Sequence, residues 1–400
     1  MNDTYAPETW GWKREHHAAW SAALESDRSA RPLIPARVTG REHHSYEILC
    51  PDFSGRPDFA ELPTAPGRYI DTRVSGRFEY TASGPADYPV TGDWVLVDPA
   101  ENLSRIHAVL PRRSTLKRGR AGETSEEQVL AANIDTLLLV FALDGGRNFL
   151  PRMLERGLVV ARNSGCAACV VLNKVDLASS EDQERALAEA AYSAPSVPVV
   201  AVSARTGEGV GELAAFFSPG ETVGMLGKSG VGKSALVNAL GAHRRDGSSP
   251  QEKTGPAGNT PLLAREGRVR DDDLRGRHTT TASRLYRLDS GILLIDSPGI
   301  RELKIWGDAE GLEGGFPEIA ELARNCRFSD CSHSGEPGCA VQAALDSGDL
   351  APERYLAYLD LAREQAWFER RHDERAQREN ELKWKRIAKL QKTFKKEERS

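Results

Sequence analysis

The sequence predicts an α/β protein. A parallel sheet covered by helices is preceded by a small β barrel and followed by a helix-rich module that holds a metal. Three observations carry this expectation. Between residues 33 and 118, short β-type runs alternate with turn residues. From residue 131, apolar strands alternate with helical stretches, the pattern of a parallel sheet buried on both faces. Cys326, Cys331, His333 and Cys339 crowd into one short stretch. The chain has 400 residues, too many for one domain of about 150.

Residues 1–32 are polar, with scattered Trp and His and no clear period. They read as a loosely ordered N-terminal extension or a short helix over Glu15–Glu25. Leu33–Thr39, Tyr46–Leu49, Tyr69–Val74, Arg77–Tyr80, Asp93–Val97 and Ser104–Leu110 are candidate strands. Gly40, Ser75-Gly76, Thr91-Gly92 and Pro99 mark turns between them. An OB-type barrel over 33–118 is the first expectation, because it is the common small barrel that binds nucleic acid. An SH3-like barrel competes. Residues 119–130 read as a polar linker.

The covered sheet is expected over 131–308. Its strands are Asp135–Leu143, Cys169–Leu172, Val197–Val202 and Thr222–Leu226; helices are expected over Leu150–Arg162, Glu181–Ala191 and Ser234–Leu240. After a polar stretch, 241–283, Leu285–Leu288 and Ile292–Ile295 form a hairpin around Asp289-Ser290-Gly291. Residues 316–400 carry the Cys/His cluster and then charged, helix-rich sequence ending in a basic helix.

Composition excludes several classes. Hydrophobic residues are 40% and charged residues 28%, which fits a globular chain and not a disordered one. The longest apolar run, Leu137–Leu143, falls far short of the roughly 18 residues of a spanning helix. Met1–His17 lacks the basic-then-apolar layout of an export signal. A cytoplasmic protein with no membrane partner is expected. Net charge is −5, so the whole chain is no basic nucleic-acid coat. Residues 382–400, however, hold eight Lys/Arg against Glu397 and Glu398, which reads as a partner-seeking arm or a solvated helix end. Six cysteines without an export signal argue against a disulfide scaffold.

Gly227-Lys228-Ser229-Gly230-Val231-Gly232-Lys233-Ser234 fits G-x-x-x-x-G-K-[ST] in full, between an apolar strand and a helix. Glycines let the backbone N–H groups wrap an anion, and the helix adds its positive end. Lys233 is expected on the β- and γ-phosphates and Ser234 on Mg²⁺. A Gly-rich turn without a ligand is the competing reading. Asp296-Ser297-Pro298-Gly299 follows the strand Ile292–Ile295. Asp296 is placed to hold Mg²⁺, and Gly299 to offer a backbone N–H to the γ-phosphate.

Asn173-Lys174-Val175-Asp176 ends another strand. A carboxylate at Asp176 can accept from guanine N1–H and N2–H₂, a pair of donors adenine lacks. Lys174 would cover the base, Asn173 would tie the loop to the phosphate loop, and Ser203-Ala204 would offer an N–H to guanine O6. Together these point to GTP/GDP. The base-reading motif precedes the phosphate loop, so the chain resembles a circularly permuted GTPase. Where many GTPases place a water-orienting Gln after D-x-x-G, this chain has Ile300. Arg277-His278-Thr279-Thr280-Thr281 sits where a first switch belongs. His278 is the candidate for orienting water, and Thr280 or Thr281 for closing on Mg²⁺. An exposed loop histidine or an RNA contact competes at His278.

Cys326-x4-Cys331-x-His333-x5-Cys339 supplies three thiolates and an imidazole, a closed tetrahedral Zn²⁺ set with a structural role. Cys166-Ala167-Ala168-Cys169 enters a core strand and reads as packing, and Cys50 as a small buried hydrophobe.

These motifs together resemble one family, the ribosome small subunit-dependent GTPases (RsgA, also called YjeQ). The resemblance covers roughly 33–395 and includes Cys326-Arg327-Phe328-Ser329-Asp330-Cys331-Ser332-His333 and Glu336-Pro337-Gly338-Cys339. It implies a factor that binds the 30S subunit late in maturation, hydrolyses GTP when stimulated there, and leaves. It also implies an OB barrel, a zinc domain on 16S rRNA, and His278 as the catalytic histidine. A monomer is expected. Residues 1–32 and 245–275 depart from the common core. The phosphate-loop Asn of some potassium-activated GTPases falls at Gly230, so that route to potassium activation is not expected. A small-molecule kinase and a non-hydrolysing RNA-binding protein are the rival classes. The guanine motif counts against the first, and Lys233, Ser234 and Asp296 against the second.

Overall fold

The structure, a computed structural model, describes residues 5–26, 33–42, 45–54, 67–98, 105–119, 127–144, 151–243, 283–296, 315–333 and 335–363. Contacts group the chain into two compact units, Met1–Arg118 with Gln128–Leu303, and Gly119–Glu127 with Lys304–Ser400.

The first unit opens with a single 3₁₀ turn, Pro7–Trp10, and helix α1, Arg14–Ser26. This segment is packed, not loose. Trp10, Trp12 and Trp20 are buried, and Trp12 meets Trp94 and Phe53 edge-on at 4.7 and 5.3 Å. Two of the three indoles precede the helix, so no helical period announces them. Gly11, at φ 80°, ends the turn by donating its N–H to Glu8 O.

Five strands follow: β1 Ile34–Glu42, β2 Ser45–Cys50, β3 Gly67–Val74, β4 Trp94–Val97 and β5 Arg105–Val109. They pair in the order β1-β2-β3-β5-β4, and β4 pairs back onto β1, closing a barrel. Ile34, Ala36, Val38, Ile48, Val95 and Ile106 fill it. Arg77–Tyr80 is not a strand. It lies in helix α2, Gly76–Thr81, because the Ser75 hydroxyl caps the Phe78 N–H at 3.2 Å and only Phe78 is buried. Residues 119–130 are not simply linker either. β6, Thr115–Gly119, and β7, Glu127–Ala132, form a two-stranded ribbon, which Leu116 and Ala131 seat in the core.

The covered sheet comprises β8 Thr136–Ala142, β9 Ala167–Asn173, β10 Val199–Ala201, β11 Thr222–Leu226, β12 Arg284–Arg287 and β13 Leu293–Asp296. Their order is β10-β9-β8-β11-β13-β12, parallel except for β12. Helices α3 Pro151–Asn163, α4 Ser180–Ser193, α5 Val210–Ala215 and α6 Lys233–Ala242 connect it. β8 shows why its sequence is apolar without alternation. Leu137, Leu139 and Phe141 join one core with Leu154 and Leu158 of α3, while Leu138, Val140 and Ala142 join the other with Leu213 and Leu236. Cys50, Cys166 and Cys169 are buried free thiols, in keeping with packing. The β12–β13 hairpin forms as expected, and Gly40 of β1 pairs with Arg284 of β12, so the barrel continues the sheet.

The second unit holds α7 Pro317–Arg324, α8 Ala340–Ser347 and a helix, α9, over 352–363. Buried Arg354 ties α9 to α7. It donates to Glu318 at 2.5 Å and to Gly315 O at 3.0 Å, and lies 4.4 Å over the Phe316 ring. The basic stretch 382–400 lies outside the described residues.

Candidate nucleotide site and metal centre

In open parallel sheets, ligands sit beyond the carboxyl ends of the strands. β8, β9, β11 and β13 are parallel neighbours here, so the loops after them share one edge. Three of those loops carry predicted motifs. The loop Gly227–Gly232 joins β11 to α6. Its glycines are required by close approach: a Cβ on Gly227 would lie 2.4 Å from Val140 O, and one on Gly232, at φ 94°, 2.3 Å from Asn173 Nδ2. Gly230 has φ 84°. Lys228 is half-buried, Ser229 is exposed and Val231 is buried. Lys233 folds back, donating from Nζ to Gly227 O at 2.6 Å and Lys228 O at 2.9 Å. Ser234 is half-buried in the first turn of α6.

Asp296 closes β13. Burial raises its pKa, and the positive charge of Lys233 works in the opposite direction. A half-desolvated carboxyl together with a hydroxyl, Ser234, is an oxygen donor set that suits a hard cation such as magnesium.

Asn173 is the junction of the site. Its Nδ2 donates to Val231 O at 2.8 Å, and its Oδ1 accepts from Ala204 N–H at 3.0 Å. One buried side chain thus joins the β9 loop, the phosphate loop and the loop after β10. Lys174, at φ 66°, reaches Asp144 Oδ2 at 2.8 Å. Asp176 accepts from Ser203 Oγ at 2.6 Å on one oxygen and from the Arg205 guanidinium on the other. The Ser203 bond, followed by the Arg205 charge, holds the Asp176 pKa below the usual carboxylate value against slight desolvation.

Sequence reasoning missed Asp144 and Arg205. The available signal was position: Asp144 follows the apolar strand β8 and Arg205 follows Ser203-Ala204, both at carboxyl ends. His278, Thr280, Thr281 and Gly299 lie outside the described residues.

In the second unit, the ligand atoms of Cys326, Cys331, His333 and Cys339 all lie within 4.8 Å of one another. Cys326 Sγ and Cys339 Sγ each stand 3.5 Å from His333 Nδ1 and 4.0 Å from each other. Bonds of about 2.3 Å to sulfur and about 2.0 Å to nitrogen in a tetrahedron give edges of roughly 3.5–3.8 Å, so the set fits zinc. Backbone N–H groups of Ala340 and Gln342 point at Cys326 and Cys339 sulfurs, at 3.4 and 3.3 Å. Burial raises the Cys326 pKa, but hydrogen bonds from the Ala340 and Val341 N–H groups and the Cys331 and Cys339 thiols outweigh it and lower it overall. His333 stands at φ 60°, and its carbonyl oxygen accepts from Tyr355 Oη at 2.9 Å.

Comparison with known proteins agrees with this geometry. A family model described as RsgA GTPase matches residues 109–306. The small ribosomal subunit biogenesis GTPase RsgA of Opitutus terrae is 41% identical over 367 residues, covering 89% of this chain and 90% of that protein. The protein of the same name from Methanosarcina acetivorans is 37% identical over 356 residues, covering 88% and 84%. The crystal structure of YjeQ from Thermotoga maritima superposes with a TM-score of 0.58 at 25% identity, covering 82% of this chain and 97% of that one. YloQ, described as a circularly permuted GTPase, gives a TM-score of 0.55 at 20% identity over 84% and 95%, a likeness of fold. With base loop before phosphate loop in the chain and beside it in space, and with relatives at this identity over nearly its whole length, the chain belongs to the RsgA family of circularly permuted GTPases.

Proposed function

We propose that this chain hydrolyses GTP as an assembly factor of the small (30S) ribosomal subunit, which stimulates it late in maturation and from which hydrolysis releases it. The observation that carries the nucleotide reading is Asn173. Its amide fastens the phosphate loop at Val231 and the Ala204 N–H at once, so base-reading and phosphate-holding groups make one pocket. The relatives' shared name supplies the subunit.

In this reading Asp176 takes guanine N1–H and N2–H₂, Ala204 N–H takes O6, and Ser203 orients Asp176. Lys174 covers the base. The N–H groups of Gly227 to Ser234 cradle the phosphates. Lys233 leaves its loop carbonyls for the β- and γ-phosphate oxygens, where its charge stabilises the transferring group. Ser234 and Asp296 would hold magnesium, which when bound neutralises phosphate charge. His278 orients the attacking water, Thr280 or Thr281 closes the first switch, and Gly299 senses the γ-phosphate. The barrel over 33–118 and the zinc module over 316–400 flank the catalytic domain over 131–308 and contact 16S rRNA. The chain acts as a cytoplasmic monomer.

The test is turnover of GTP and of ATP by the purified protein, with and without 30S subunits. Slow GTP hydrolysis, well below about one per second unaided, should rise strongly with 30S and not with ATP as substrate. Equal use of ATP, or no turnover with subunits present, would overturn the proposal.

A further inference from the structure

We infer that Asp144 is a positioning residue for the guanine nucleotide, acting through Lys174. The inference rests on the nucleotide site proposed above and adds a residue to it.

Lys174 stands in the left-handed region at φ 66°, a conformation unfavourable for a residue with a Cβ. It caps the single turn Val175–Leu177 with its backbone, and its own side chain makes no capping bond there. The side chain runs instead to Asp144, with Nζ 2.8 Å from Oδ2. The two side chains are 27% and 19% exposed, so solvent screens this pair less than it screens the Asp176–Arg205 pair.

Asp144 is not on a free loop at this point. Ala142 pairs with Asn173 at the end of the β8–β9 ladder. The next N–H, that of Leu143, then donates to Asn173 O at 2.8 Å. The ladder therefore runs one step past the strand, and the sheet itself sets where the Asp144 carboxylate stands. A parallel-strand register that fixes Asn173 on the phosphate loop fixes Asp144 beside Lys174 as well.

The physical consequence is preorganisation. A lysine stem has many rotamers to lose, and ordering it costs binding energy when that happens only in the complex. Asp144 orders the stem before the base arrives. Its effect belongs to binding of the base and not to chemistry at the γ-phosphate. GDP and GTP should feel it alike.

The experiment is a double-mutant cycle on the full chain, reading GDP affinity and dissociation rate with a fluorescent GDP, alongside KM and kcat for GTP. Asp144→Ala should weaken GDP about three- to tenfold, raise KM by a similar factor and leave kcat unchanged. Asp144→Asn, the variant to use if the alanine form does not fold, should fall between. In a Lys174→Ala background, Asp144→Ala should change GDP affinity less than twofold. Wild-type affinity in Asp144→Ala, or effects that multiply in the double variant, would overturn the positioning role while leaving the site standing. If Lys174→Ala itself leaves GDP binding intact, the nucleotide site is wrongly placed and the inference falls with it.

Discussion

The two ends of the covered sheet hold their charges in opposite ways. At the end where the parallel strands begin, charged groups are buried or half-buried and each is held by several partners fixed by the fold. Arg37 is 1% exposed. It donates to Trp10 O, Asn133 O and Thr222 Oγ1 at 3.2–3.4 Å and lies 5.3 Å over Trp94. Asp93 is wholly buried and takes both forks of Arg112, at 2.9 and 2.8 Å, plus the Val90 N–H. Asp135 receives Lys13 at 2.5 Å, Arg113 at 2.9 Å and the Thr222 N–H at 2.9 Å. These bonds join the N-terminal segment, the barrel and the sheet. At the end where the strands finish, the partners are replaceable. Lys233 rests on loop carbonyls, and the guanidinium on Asp176 belongs to a side chain 72% exposed. A buried charge needs partners that the fold holds in place. A charge awaiting a ligand needs partners that a ligand can displace.

The largest effect should come from the buried end. Arg112 also donates to Ala86 O at 2.7 Å and Tyr88 O at 2.9 Å. Arg112→Ala should therefore lower stability by about 3–5 kcal/mol, the cost of leaving a buried charge unpaired. Denaturant unfolding measures it, and GDP affinity of the folded fraction should stay as in the unmutated protein. A stable variant with poor GDP binding would break the division between the two ends.

The same end should sense acid. His16 packs 5.5 Å from Trp12 and 5.7 Å from Trp94. Burial, then the charges of Arg37 and Arg113, push its pKa from 6.5 down to about 3, with Glu15 opposing and Lys13 adding to the shift. The folded imidazole thus stays neutral where the unfolded one binds a proton. Its stabilisation is complete above pH 6.5 and is lost as pH falls toward 3, at up to about 1.4 kcal/mol per pH unit. Between about pH 6.5 and 5, above the main carboxylate range, unfolding free energy should fall with pH. His16→Asn, which keeps an acceptor for the Lys13 N–H, should flatten that slope. An unchanged slope would place the proton uptake elsewhere.

These regions also differ in how far the sequence disclosed them. The phosphate loop is legible because its backbone path excludes side chains at Gly227 and Gly232, so the geometry is written in consecutive residues. The apolar run of β8 is legible because both its faces are buried. The Cys/His spacing is legible because the ligands follow one another along the chain. Helix α2 was hidden because Arg77-Phe78-Glu79-Tyr80 alternates like a strand, and only the Ser75 cap hinted otherwise. The buried junction was hidden because its bonds join distant residues, such as Arg37 with Thr222. The same holds for Asp144 with Lys174, which no local period records. His278, central to the catalytic reading, lies outside the described residues.

The smallest effect should have the opposite sign, which makes it the sharpest probe of the exchangeable end. The Arg205 guanidinium occupies the second oxygen of Asp176 while Ser203 holds the first. If guanine reads this carboxylate, Arg205 must first move aside. Exposed ion pairs contribute little, so Arg205→Ala should speed GDP association by no more than about fivefold. Added salt, which screens exposed charges, should bring the unmutated protein toward the variant's rate. Stopped-flow association across a salt series tests both. Slower association, or weaker binding, in Arg205→Ala would make the arginine a contact to the nucleotide, and the partner on Asp176 would then be part of the grip and not a placeholder that the base displaces.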